Sequence, residues 1–166
     1  ANMGIECDIQ MSRDNLPLVF HDWDLDRLTA ERGKVAQRPA DDLCRLPLMG
    51  TGERIWPLAD LLELVAGRVP ILVEIKAQPH LAVAEPCMAI AKALSDYAGP
   101  LAVMSFDLRV GEWFAKHAPD WTRGLVITDT LDHGYQCAWR APKALERAQP
   151  DFLASDVRDI PNALTN

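Results

Sequence analysis

The chain has 166 residues, 49% of them hydrophobic, and a formal charge of -7. That is enough for one globular core and too little for two ordinary domains. The acidic balance, with no block of Lys or Arg, argues against a nucleic-acid partner and against a basic stripe for an anionic membrane.

Taken in chain order, Asn2 to Gln10 reads as a strand, Arg13-Asp14-Asn15 as a turn, and Leu16 to Phe20 as a second, shorter strand. Trp23 to Pro57 is polar and irregular, punctuated by Gly33, Pro39, Pro47, Gly50, Gly52 and Pro57, with a short helix expected at Asp41 to Leu46. So long a connection inside a compact domain points to function or disorder. Pro57 opens a helix over Leu58 to Ala66, with Leu58, Leu61, Leu62 and Val65 on one face and Gly67 at its stop.

A regular alternation follows. Strand Ile71 to Ile75 precedes helix Leu81 to Tyr97, and strand Leu101 to Ser105 precedes helix Leu108 to His117, with Asp107 as its N-cap. Strand Gly124 to Ile127 precedes helix Cys137 to Ala148, and strand Phe152 to Ala154 leads into Asp156. Short apolar strands alternating with helices predict a parallel sheet with right-handed crossovers.

Two strands carry charge in the same pattern. In the first, Glu6 and Asp8 share a face at roughly 7 Å spacing while Ile5, Cys7 and Ile9 point the other way. An exposed antiparallel strand also alternates in this way, so that pattern alone does not define a site. The second, Val69 to Lys76, is a nearly continuous apolar run whose only charges, Glu74 and Lys76, again lie two apart. Buried charges are costly unless paired or bound to a metal. Three carboxylates, a Lys and the nearby His21 therefore read as a site, at the strand ends where α/β folds place theirs.

The ordered set is Glu6-x-Asp8, His21-Asp22 thirteen residues after Asp8, D-L-D-R-L-T from Asp24 to Thr29 with Gly33 soon after, V-E-I-K ending at Lys76, and Ser105-Phe106-Asp107. It resembles the glycerophosphodiester phosphodiesterase family, in register from Gly4 to Asp107 and more loosely through Asp151 to Asp156. The resemblance implies a (β/α)8 TIM-type barrel, of which this chain supplies about five βα units. The family's opening strand with its His-Arg-Gly motif, and its last strands, have no counterpart here. Residues 1–166 are thus expected to be one phosphodiesterase barrel domain, incomplete at both ends.

By resemblance, Glu6, Asp8 and Glu74 are the ligands of a divalent metal, Mg²⁺ or Ca²⁺, which suits hard oxygen donors on rigid strands. His21 is the expected acid/base group, since an imidazole titrates near neutrality. The second histidine of the family's pair belongs to the His-Arg-Gly motif. Lys76 can supply a point charge to the phosphate, or pair with Glu74 or another acid. Trp23 is placed to touch the substrate's alcohol and Phe106 to form an apolar wall. Asp22 either orients His21 or caps the next turn. Arg27 and Thr29 are expected to hold the long loop.

The remaining candidates have plainer expectations. His80 follows Pro79 near the mouth of the site, His117 ends a helix where a cation suits the dipole, and His133 sits in the turn Thr128 to Gly134. Ser105 lacks a G-x-S-x-G elbow, and Gly50-Thr51-Gly52 is too short for a phosphate loop. The other tryptophans, Trp56, Trp113, Trp121 and Trp139, are core or loop anchors. Asp156 and Arg158 follow a strand and could reach the mouth.

Cys7, Cys44, Cys87 and Cys137 are scattered with no C-x-x-C spacing, which fits small buried hydrophobes in a reducing compartment. There is no run of 18 apolar residues and no signal-peptide pattern, so no transmembrane segment and a cytoplasmic setting are expected.

The expected reaction is metal-dependent hydrolysis of a small-molecule glycerophosphodiester to sn-glycerol 3-phosphate and an alcohol. No oligomeric state is implied. A related enzyme acting on lysophospholipids would need an apolar groove around Trp23, Trp56 and Phe106. A non-catalytic barrel that binds phosphate esters or a partner protein, and a purely structural α/β domain that binds no divalent metal, complete the alternatives.

Overall fold

The computed structural model describes residues 3–128 and 143–159. Strands β1 (Ile5–Met11) and β2 (Pro17–Val19) form an antiparallel hairpin, with Ile9 opposite Val19. Asn15 closes the turn at a φ of 59°, a left-handed conformation that Asn tolerates better than most residues. Ser12 Oγ accepts from the Leu16 amide at 2.9 Å, and Asp14 Oδ1 accepts from the Ala40 amide at 2.9 Å. The second bond caps the short helix α1 (Ala40–Leu43) and ties the long loop to the hairpin.

The described strands form one seven-stranded sheet in the order β3-β2-β1-β4-β5-β6-β7. The two-residue strand β3 (Trp56–Pro57) pairs antiparallel with β2 at one edge. From β1 onward all pairings are parallel, through β4 (Ile71–Ile75), β5 (Leu101–Ser105), β6 (Thr122–Ile127) and β7 (Phe152–Ser155). Helices α2 (Leu58–Val65), α3 (Ala84–Leu94), α4 (Leu108–His117) and α5 (Ala144–Ala148) lie between them in sequence.

Side-chain alternation divides the sheet into two faces. Cys7, Ile9, Ile71, Val73, Ile75 and Val103 pack against Leu58, Leu62, Val65, Cys87, Ile90, Leu94, Val110 and Phe114 of the helices in one core. The intervening positions, among them Glu6, Asp8, Glu74 and Met104, therefore face away from the helices. At Gly124 that second face admits no side chain, because a Cβ would come within 2.3 Å of the Phe152 ring on the neighbouring strand. The long loop has its own small core of Leu18, Phe20, Leu25, Val35, Ala40, Leu43 and Ile55.

The expected element order holds, with shifted boundaries. The first strand runs to Met11, and its predicted start at Asn2 lies outside the described residues. Helix α1 is shorter than the expected Asp41 to Leu46. Helix α3 begins at Ala84, well after Leu81, because Pro86 lacks an amide hydrogen and fits only the first turn. It ends at Leu94, three residues short of Tyr97, whose hydroxyl instead accepts from the Gly67 amide at 3.1 Å. Strand β6 starts two residues earlier than Gly124, and β7 runs one residue past Ala154. Of the predicted helix Cys137 to Ala148, the part from Ala144 is observed and the first six residues lie outside the described residues. His133, with most of the predicted turn Thr128 to Gly134, and Trp139 lie outside them as well. Strand β3 has no sequence counterpart, since two residues carry no period.

Phe114 is fully buried in the main core and sits edge-on to Trp113 and stacked with Trp121. Phe114→Ala should lower the unfolding free energy in urea by about 3–5 kcal/mol.

Candidate active site

Strand pairing assembles the acidic group. In the β1–β4 register Asp8 lies opposite Glu74, and Glu6 lies two residues earlier on the same face of β1. One carboxylate oxygen from each of Glu6, Asp8 and Glu74 falls within 4.8 Å of the others. Lys76, two residues beyond Glu74, brings Nζ to 2.8 Å from Asp8 Oδ1 and also pairs with Glu74. Burial acts to lower the Lys76 pKa, but the hydrogen bonds and charges of Asp8 and Glu74 outweigh it and the net shift is upward. Nζ also lies 5.8 Å from the centroid of the Phe106 ring, within cation–π range.

The second half of the site comes from the chain just after β2. The Phe20 amide donates to the Asp8 carbonyl at 2.9 Å, which delivers His21 beside the acidic strand. Gln10, buried and on the same face of β1 as Asp8, donates through Nε2 to the His21 carbonyl at 3.2 Å. His21 Nδ1 lies 2.6 Å from Asp22 Oδ1, and Asp22 also accepts two bonds from Arg27, at 2.7 Å each. The Arg27 guanidinium, more than His21, holds the Asp22 carboxyl down to about 2. An ionised carboxylate only accepts, so His21 Nδ1 is the donor and Nε2 is left to exchange a proton. Of its two expected roles, Asp22 takes the orienting one.

These residues surround one cavity of 620 Å³, lined by Glu6, Asp8, His21, Trp23, Glu74, Lys76 and Phe106. All seven residues singled out in the sequence therefore lie around a single space. Asp22, Asp24, Asp26, Arg27 and Met104 complete the wall. Met104 enters the wall through the strand register, which sets it opposite Glu74 across β4 and β5. Asp24 and Asp26 sit in the D-L-D-R-L-T stretch, where alternation through an irregular loop carries no directional information.

Other candidates fall outside this wall. Trp56 lines a separate 250 Å³ cleft with Cys44, Arg54 and Asp60, so the expected groove of Trp23, Trp56 and Phe106 does not form as one surface. His80 is exposed in the loop after β4 and does not line the cavity. His117 bonds the Trp113 carbonyl at 2.8 Å and stacks on its indole. Asp156 and Arg158 pair with each other on the surface. Ser105 Oγ donates to the Ile75 carbonyl at 2.7 Å and accepts from the Asp107 amide, a bridge between strand ends rather than a nucleophile. Thr29 is buried and bonds the Leu25 carbonyl at 3.0 Å, as expected of a loop anchor.

The donor set fits a hard divalent cation. Three carboxylates face one ammonium, so negative charge is in excess. Loss of solvent, then the charges of Asp8 and Glu74, hold the Glu6 carboxyl above its ordinary value, against the pull of Lys76 and His21. A divalent ion bound among oxygen ligands relieves that repulsion.

A parallel α/β sheet packed by helices on one face, with acidic, basic and imidazole groups gathered around a cavity on the other, defines an α/β protein with its site on the sheet. The family model described as glycerophosphoryl diester phosphodiesterase matches residues 2–154, and the chain belongs to that family. Among solved structures, a phosphodiesterase from Oleispira antarctica in complex with the product sn-glycerol-3-phosphate is similar at 24% identity and a TM-score of 0.76, over 90% of this chain and 62% of that one. A glycerophosphodiester phosphodiesterase from Thermotoga maritima matches at 25% identity and 0.67, over 90% and 59%. One from Agrobacterium tumefaciens matches at 18% identity and 0.65, over 94% and 84%. The fold class is the (β/α)8 barrel, of which five parallel strands are described here. The chain spans about three fifths of the length of the Oleispira protein. No curated protein matches the sequence. No helix among the described residues is long and apolar enough to cross a membrane.

If the acidic group binds a cation, Mg²⁺ or Ca²⁺ at about 100 times its dissociation constant should raise the melting temperature by about 5–10 °C. Glu74→Gln should reduce that shift to under about 2 °C, as read by differential scanning fluorimetry.

Proposed function

We propose that this chain belongs to a divalent-metal-dependent phosphodiesterase that hydrolyses glycerophosphodiesters to sn-glycerol 3-phosphate and an alcohol. The observation that carries the reading is the meeting of Glu6, Asp8 and Glu74 within 4.8 Å, beside Lys76 and His21, in one cavity of a family member. Glu6, Asp8 and Glu74 would hold the ion, Mg²⁺ or Ca²⁺. Bound there, it supplies charge compensation for phosphoryl oxygens.

Lys76, fixed between Asp8 and Glu74, places a positive charge at the floor of the cavity, where a phosphate oxygen can share it. His21 Nε2 takes the proton from the glycerol 2-hydroxyl as that oxygen forms its bond to phosphorus, or hands a proton to the departing alkoxide as the phosphorus–oxygen ester bond breaks. Water then opens the resulting cyclic phosphate. Trp23 and Phe106 give the substrate's alcohol an apolar wall, and Met104 adds to it. The 166 residues act within a single barrel domain. Free thiols at Cys7, Cys44 and Cys87, with Cys7 and Cys87 buried, fit a reducing, cytoplasmic setting.

The test is glycerol 3-phosphate release from glycerophosphocholine by the full-length protein. Release with Mg²⁺ or Ca²⁺ should be abolished by EDTA, and His21→Ala should lower kcat by about 100- to 10,000-fold. No product with either metal would overturn the enzymatic reading and favour a phosphate-ester-binding barrel.

A further inference from the structure

Among the cavity residues, Arg27 places two edges of its guanidinium on another cavity side chain, Asp22. Nε donates to Asp22 Oδ2 and Nη2 to Asp22 Oδ1, a bidentate grip that fixes the plane of the carboxylate. Asp22 Oδ1 is the same oxygen that receives His21 Nδ1. The Arg27 side chain is 64% exposed, yet its backbone is not loose. Leu25 on one side is fully buried in the loop core, and Thr29 on the other is 2% exposed. The Thr29 amide and hydroxyl both donate to the Leu25 carbonyl, at 3.0 Å each. Asp26 Oδ1 accepts from the Gly33 amide at 3.1 Å and closes the other side of the turn. Gln10 meanwhile fixes the His21 carbonyl.

We propose that Arg27 is a positioning residue: its bidentate hold on Asp22 sets the orientation in which Asp22 receives His21 Nδ1, and so reserves Nε2 for the reacting proton. The inference rests on the acid/base role given to His21 above. Without Arg27 the Asp22 carboxylate is free to rotate about its side-chain torsions, the imidazole loses its fixed partner, and both ring tautomers become populated. The loop core then has a functional purpose, since it holds the turn from which Arg27 reaches back by five residues.

Two readouts on the full-length protein test this. The first is the neutral tautomer of His21, from long-range ¹H–¹⁵N correlations of the imidazole, with His21→Gln assigning the signals. The second is kcat and KM for glycerophosphocholine at saturating Mg²⁺. Wild type should show Nδ1-protonated His21. Arg27→Met should show mixed tautomers and a kcat lower by about 10- to 100-fold, with KM within about twofold. Arg27→Lys keeps the charge without the fork and should fall between the two. An unchanged tautomer and kcat in Arg27→Met would overturn the proposal, as would a rise in KM alone. If the wild type releases no glycerol 3-phosphate, the enzymatic reading fails, while the tautomer comparison still decides what Arg27 does.

Discussion

The site depends on one parallel strand pairing. In the β1–β4 register Asp8 stands opposite Glu74, which forces two carboxylates toward each other on a face that carries Glu6 as well. Unrelieved, such a group repels itself, and the Glu6 carboxyl is displaced upward first by loss of solvent and then by the charges of Asp8 and Glu74. Lys76 meets part of the charge by bonding both Asp8 and Glu74. A slip of one residue in that register would turn Glu74 and Lys76 into the helix-packed core and take the acidic group apart.

The two larger hydrophobic clusters have separate duties. The main core, built from alternate residues of β1, β4 and β5 against α2, α3 and α4, makes the strand ends rigid. The smaller cluster makes an irregular loop into a fixed object, from Leu18 through Leu25 and Val35 to Ile55. The loop is clipped to the hairpin by the Asp14–Ala40 bond, and the end of β2 is tied to β1 by the Phe20–Asp8 bond. Those ties let His21 and Asp22 work as a fixed pair beside strands that are already rigid.

Much of this was legible from residue order, because period-two alternation reports faces and short apolar runs report parallel strands. Glu6 and Asp8 on one strand, and Glu74 and Lys76 on another, could be assigned to faces without knowing the fold. Their meeting could not, since register across a crossover depends on packing far from either strand. Met104 stayed hidden for the same reason. Asp24 and Asp26 stayed hidden because an irregular loop has no period to read. The separation of Trp56 from Trp23 and Phe106 follows from β3, whose two residues place that indole at the sheet edge beside Cys44 and Asp60. Both misplaced ends of α3 trace to local chemistry, at Pro86 and at Tyr97.

The claim that Glu6, Asp8 and Glu74 form a cation site is tested most directly by crystals of the full-length protein grown with Mn²⁺ and measured at the manganese absorption edge. An anomalous peak roughly 2.0–2.6 Å from an oxygen of each of the three carboxylates is the result expected. Manganese bound elsewhere, with Lys76 still seated between Asp8 and Glu74 and no ion beside Glu6, would contradict it.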